Sequence, residues 1–178
     1  MKRLRMNQRG FTLIELLVAM AISGAIGGVT LTSIYQVGAY QSMDRARMSC
    51  VKQVENAIHY IVRDAQMAQV VTVTPSPDAD GFPLTLRWTE WNKDDDSNID
   101  HEVEYRLSLS GTELERSYEV GSDPPVVMTV ARYLDNNPAT TSCAYSGGAV
   151  NLEITARING FPKDISESRK TKIIPRPD

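Results

Sequence analysis

Three sets of side chains in this 178-residue sequence have the type and spacing to do chemistry. Glu15 is the only charged residue between positions 11 and 34, a run that is otherwise apolar or small. A carboxylate near the centre of a hydrocarbon layer costs on the order of 2.5 kcal/mol or more, so in lipid Glu15 requires a cationic partner. Asp94, Asp96, Asn98 and Asp100 place oxygen side chains at alternate positions of one polar stretch, with Glu102 next in the alternation. Hard cations such as Ca2+ take about six to eight oxygens, which makes these four a candidate calcium set. An EF-hand is excluded, because its obligatory glycine and glutamate are replaced by Ile99 and Tyr105. The competing reading is a solvated acidic loop between two strands. The third set is Cys50 and Cys143, which in an oxidising compartment are either a disulfide or two unpaired thiols.

Catalysis finds little support. His59 and His101 are far apart in sequence, and Cys50 has no evident general base. The sequence holds no G-x-S-x-G elbow, phosphate loop or C-x-x-C spacing. No enzyme is expected.

The element that must position Glu15 is the apolar run itself. Its 24 residues would span about 36 Å as a helix, enough for a bilayer core of about 30 Å. Lys2, Arg3, Arg5 and Arg9 precede it, which keeps the N-terminus cytoplasmic by the positive-inside rule. Gly24 and Gly28 form a small-xxx-small face suited to close helix packing. A conventional secretory signal fits poorly, because the apolar run is too long and its best cleavage candidate lies before it. A simple signal anchor would have no use for Glu15.

The order Gly10-Phe11-Thr12-Leu13-Ile14-Glu15 after a basic leader resembles the class III signal of type IV pilins and type II secretion pseudopilins. The resemblance implies cleavage after Gly10 by prepilin peptidase and methylation of the new N-terminus at Phe11. It also implies that Glu15 attracts the N-terminal amine of a neighbouring subunit during assembly. Losing residues 1–10 takes Lys+Arg from 19 to 15 against 22 Asp+Glu, a mature charge near −7. That balance makes nucleic acid an unexpected partner.

Beyond residue 34 the helical pattern continues without a break. Val51, Val54, Ile58, Ile61, Ala65 and Ala68 recur at spacings of three and four, the stripe of an amphipathic helix, with Arg63 and Asp64 among the residues assigned to other faces. Pro75, Pro77, Gly81 and Pro83 then make a loop. Strand alternation is expected over 84–89 and 103–109, Gly111 makes a tight turn into a strand at 113–120, and 126–134 and 150–158 are two more strand candidates. The resulting fold class is α+β: one long N-terminal helix packed on a C-terminal antiparallel sheet, which resembles the pilin fold. The expected divisions are a leader at 1–10, a membrane half-helix at 11–34, an amphipathic half-helix at 35–73 and a β-rich domain at 74–178. The basic ending from Ser168 to Pro177 resembles that of minor pseudopilins.

The resemblance therefore implies a minor pilin or pseudopilin. Its partners would be other subunits of a helical filament, prepilin peptidase, an inner-membrane assembly platform and, before assembly, the bilayer. It would cross the cytoplasmic membrane once with its globular domain outside, then enter the pilus or pseudopilus. The alternative is a filament subunit for adhesion or DNA uptake, binding a ligand through exposed loops, with Trp88, Trp91 and Tyr105 as a candidate aromatic surface.

Overall fold

The computed structural model describes residues 12–74, 81–93, 96–159 and 163–176. One helix, α1 (Leu13–Met67), is followed by eight strands: β1 (Val70–Val73), β2 (Leu84–Asn92), β3 (Ser97–Leu107), β4 (Glu113–Val120), β5 (Val126–Arg132), β6 (Ser142–Ser146), β7 (Ala149–Ile158) and β8 (Ile165–Ile173). All strand pairs are antiparallel, so the long-helix α+β arrangement of the pilin type is present. The strands form two sheets rather than one, ordered β1-β2-β3-β4-β5 and β6-β7-β8. A single bridge, Leu134 to Ala156, links the chain beyond β5 to β7.

The chain divides into two compact units after Ser42. In the first, every described side chain from Thr12 onward is exposed, Ala39 left aside, although the composition is apolar. The hydroxyls of Thr30, Thr32 and Ser33 are satisfied within the helix: Thr30 Oγ1 donates to the Ile26 carbonyl at 2.8 Å, Thr32 Oγ1 to that of Val29 at 2.8 Å and Ser33 Oγ to that of Val29 at 2.9 Å. A helix whose polar groups all bond internally can leave water without stranding donors. The exposed stretch runs eight residues past the boundary expected at Ile34, because the first half-buried side chain is Met43.

In the second unit α1 buries one face against the sheets. The deepest line is Cys50, Val54, Ala57, Ile61, Asp64 and Ala65, whereas Val51 and Ile58 are only half-buried. Val54, Ile61, Ala65 and Ala68 of the expected stripe are thus in the core, and Cys50 and Ala57 take the places of Val51 and Ile58. Small alanines at the contact let the sheets approach the backbone closely, and a pattern weighted toward large apolar residues understates them. Leu84, Leu86, Val103, Tyr105 and Leu114 from the larger sheet, and Leu152 and Ile154 from the smaller, complete the core.

The helix also ends earlier than expected. The boundary drawn at Val73 assigns Val70–Val73 to α1, but these residues form β1, paired with Leu84–Arg87. A run of Val, Val, Thr and Val packs better on a pleated sheet than in a helix, and the Gln69 N–H already donates to the Arg87 carbonyl at 2.9 Å. β6, which no alternation marked, lies beside β1. Gly81 makes that contact possible: at φ +85 a Cβ would stand 1.5 Å from the Cys143 carbonyl oxygen.

Candidate functional site

At the N-terminal end, Gly10 and Phe11 lie outside the described residues. Thr12 and Glu15 form a reciprocal cap on α1. The Thr12 backbone N–H and hydroxyl each donate to Glu15 Oε2 at 2.9 Å, and the Glu15 N–H donates to Thr12 Oγ1 at 3.4 Å. This is the capping box of a T-x-x-E sequence, and it satisfies donors that a helix start otherwise leaves unpaired. Both bonds from Thr12 use the same carboxylate oxygen, so Glu15 Oε1 keeps its accepting capacity toward a further donor. Glu15 thus has a role within its own chain, which the sequence signature S/T-x-x-E could have shown.

Around Glu15 the helix is bare. Leu13 is 81% exposed, and Leu16, Leu17, Met20, Ile22 and Ile26 are each more than half exposed. An apolar surface of this extent on one helix needs lipid or other protein to cover it. A methyl group added at Gly24 or Gly28 would meet nothing within 4 Å, so the chain's own packing does not require glycine there. Their small size matters only to what packs against the helix from outside.

A second constellation holds α1 to the larger sheet. Asp64, assigned from sequence to a polar face, is only 1% exposed. Arg116 of β4 grips it with two bonds, Nε to Oδ2 at 2.7 Å and Nη2 to Oδ1 at 3.2 Å, and the Tyr105 hydroxyl of β3 donates to Oδ2. Arg116 is also stacked over the Tyr118 ring at 4.9 Å. Burial alone would lower the Arg116 pKa, but the bonds and charge of Asp64 outweigh it and hold the guanidinium above its ordinary value. Burial, and then the Asp64 charge, push the Tyr105 hydroxyl well above the usual tyrosine range, so it remains a donor. A fully bonded buried ion pair of this kind fixes the register of helix on sheet. Nothing in a hydrophobic pattern marks Asp64, because its partners lie 41 and 52 residues away.

The other candidates are dispersed. His59 is exposed and meets Tyr60 edge-on. His101 lies parallel to the rings of Trp88 and Tyr118, its Nδ1 2.8 Å from the Tyr118 hydroxyl and its Nε2 3.5 Å from Glu90 Oε2. Trp88 is half-buried, Tyr105 is in the core and Trp91 is 53% exposed, so these three do not form a common aromatic surface. Asp94 lies outside the described residues. Asp96 occupies the β2–β3 turn with φ 53, while Asn98 and Asp100 belong to β3, opposite Trp91 and Thr89. Asp100 Oδ1 accepts from the Thr89 hydroxyl at 2.8 Å. Among the described residues no three His, Cys, Asp or Glu side chains are grouped to hold a metal ion.

Cys50 and Cys143 are both buried in the core as free thiols, without a disulfide between them. Burial pushes the Cys143 thiol up to about 12 and raises Cys50 as well. Thiolate is the reactive species, so both should resist alkylation at pH 8 in the folded protein and react promptly once urea unfolds it. Fast labelling of Cys143 in the native state would contradict its placement in the core.

Residues 5–31 match a family model, the prokaryotic N-terminal methylation motif. The match spans 27 of the 178 residues, from the basic leader into the first unit of α1. Comparison with curated proteins and with solved structures finds no match.

Proposed function

We propose that this chain is a minor subunit of a type IV pilus or type II secretion pseudopilus, anchored by α1 in the cytoplasmic membrane with its β-rich domain outside until assembly. The observation that carries the reading is the methylation motif joined to the first unit of α1, whose described apolar side chains are all exposed and which holds one carboxylate near its start. A soluble domain could not tolerate that surface, whereas a filament core covers it with neighbouring helices. Glu15 docks on the N-terminal amine of an adjacent subunit, and Gly24 and Gly28 allow the helices to approach. The second unit, locked to α1 by Asp64 and Arg116, faces the outside of the filament. The subunit serves assembly; the adhesin and DNA-uptake alternative loses its aromatic platform with the burial of Trp88 and Tyr105.

Processing supplies the direct test. Mass spectrometry of the membrane-extracted protein should show residues 1–10 removed and one methyl group on Phe11. Deleting the prepilin peptidase should restore the intact leader. A chain cut beyond Thr32, or Met1 retained in the presence of active peptidase, would defeat the reading.

A further inference from the structure

An edge strand holds backbone N–H and C=O groups that no neighbour pairs, and folded proteins cover such edges or place charge on them. Among the described residues the two sheets have four edges, β1 and β5 in the larger and β6 and β8 in the smaller. β1 and β6 lie beside each other, so each partly covers the other. β8 carries Glu167, Arg169, Lys170 and Lys172 along its length. β5 has neither protection. From Val126 to Ala131 it reads Val-Val-Met-Thr-Val-Ala, without a charge, and Pro124 and Pro125 precede the strand instead of interrupting it.

The open part of β5 is its first half. Val130 and Ala131 are buried, and the Arg132 N–H donates to Gln53 Oε1 of α1 at 2.8 Å, so the helix closes that end. The register shift opposite Leu114 and Glu115 makes Val130 the extra residue, which places the bulge beyond the open stretch. Val126, Val127 and Met128 are 65%, 51% and 38% exposed, and Thr129 is exposed too. Val126 and Met128 stand opposite Tyr118 and Arg116, on the face that packs on α1, whereas Val127 stands opposite Ser117 on the other. Both faces of this edge are therefore apolar. Among the described residues, only β4 bonds the backbone of Val126–Thr129.

We propose that Val126–Thr129 is a strand-addition site, where an extended segment of a different filament subunit pairs with β5 as a sixth strand of the larger sheet. Exposed apolar groups alone could meet many surfaces, but a row of unpaired backbone groups is matched by another extended chain. The apolar side chains on both faces set the chemistry of that chain. It offers about four residues, uncharged and without proline, with β-branched or other apolar side chains on both sides. A second copy of this chain is a poor occupant. Two β5 edges pairing antiparallel would be related by a two-fold axis, which closes a dimer and does not join a filament. The inference rests on the filament reading, which supplies the co-assembled neighbours.

The test uses the full chain in its own membrane, with a photo-activated benzophenone side chain placed at Val127. Sheared filaments are irradiated and the products mapped by mass spectrometry. The expected product joins this chain to one other subunit that also begins with a methylated N-terminus, linked at an uncharged, extended segment of it. Met128→Lys and Val126→Glu should each lower the yield about tenfold, since a charge of either sign disfavours pairing at the edge. Met128→Leu should not. Thr129→Lys gives the same reading should either charged variant lose its cooperative urea transition. Filaments that contain the probe chain but yield no such product would overturn the site and leave the filament reading intact. So would a link only to second copies of this chain, or a yield indifferent to the charges. Probe and unlabelled chains both correctly cleaved yet absent from every filament would sink the filament reading and this site together.

Discussion

Replacing Glu15 by leucine is expected to leave membrane insertion and cleavage after Gly10 unchanged while removing the chain from sheared filaments. Cleavage leaves a cationic amine on Phe11 and makes Glu15 the fifth residue of the mature chain, and in lipid neither charge is comfortable alone. Removing one partner of a buried ion pair costs about 3–5 kcal/mol, or about a hundredfold or more in a docking equilibrium. The capping box supplies a rival explanation, because Glu15→Leu also strips the bonds from Thr12. Two further variants separate the causes. Glutamine still closes a capping box but carries no charge, so Glu15→Gln should fail as leucine does. Thr12→Ala gives up the cap, worth about 0.5–2 kcal/mol, yet keeps the carboxylate, and should still dock. Counting the subunit in filaments decides: a docking Glu15→Gln with a failing Thr12→Ala would make Glu15 a helix cap and nothing more.

The second large effect is expected at Asp64. Asp64→Ala leaves the Arg116 guanidinium buried without its counter-charge and should cost about 3–5 kcal/mol, a large part of the 5–15 kcal/mol that about spans ordinary domain stability. The protein would lose its cooperative urea transition or shift it far to lower denaturant. Tyr105→Phe removes one neutral donor and should cost only about 0.5–1.5 kcal/mol, because Asp64 keeps both bonds from Arg116. The double variant Asp64→Leu with Arg116→Met should recover most of the loss, since apolar groups of similar size often replace a buried pair at little cost. A mild Asp64→Ala, or a double variant as weak as the single, would show that the pair is not the lock between helix and sheet. Association of filaments would respond differently to these changes than to Glu15→Leu, which leaves the second unit intact.

What the linear sequence made legible was whatever depends on near neighbours. The apolar run with Glu15, the basic leader and the glycine before Phe11 act over about ten residues, and each keeps its meaning in isolation. Alternation found β2 and β3 because each buries every second side chain on one face, β4, β5 and β7 stood as further strand candidates, and Gly111, at φ 69, sits in the turn into β4 as expected. The long helix followed by those strands was enough for the α+β class. The T-x-x-E cap was equally local and was there to be found.

Contacts between distant residues could be decided only by the tertiary structure. Ala57 and Asp64 became core positions because the sheets close on the narrow side of α1, not on its most apolar side. Val70–Val73 left the helix because β2 offered them a partner. β6 has no clear alternation and is a strand because β7 pairs with it, while the missing side chain of Gly81 leaves room for the Cys143 carbonyl. Asn98 and Asp100, adjacent in a polar run, were drawn into a strand by pairing with Trp91 and Thr89. The sequence by itself determined that this chain has a membrane-length helix with a processing signal, since hydrophobicity and a short motif are local properties. Where Asp64 finds its charge, and which edge of the sheet remains open to a neighbour, follow from loop closure over tens of residues. Composition carries no record of that.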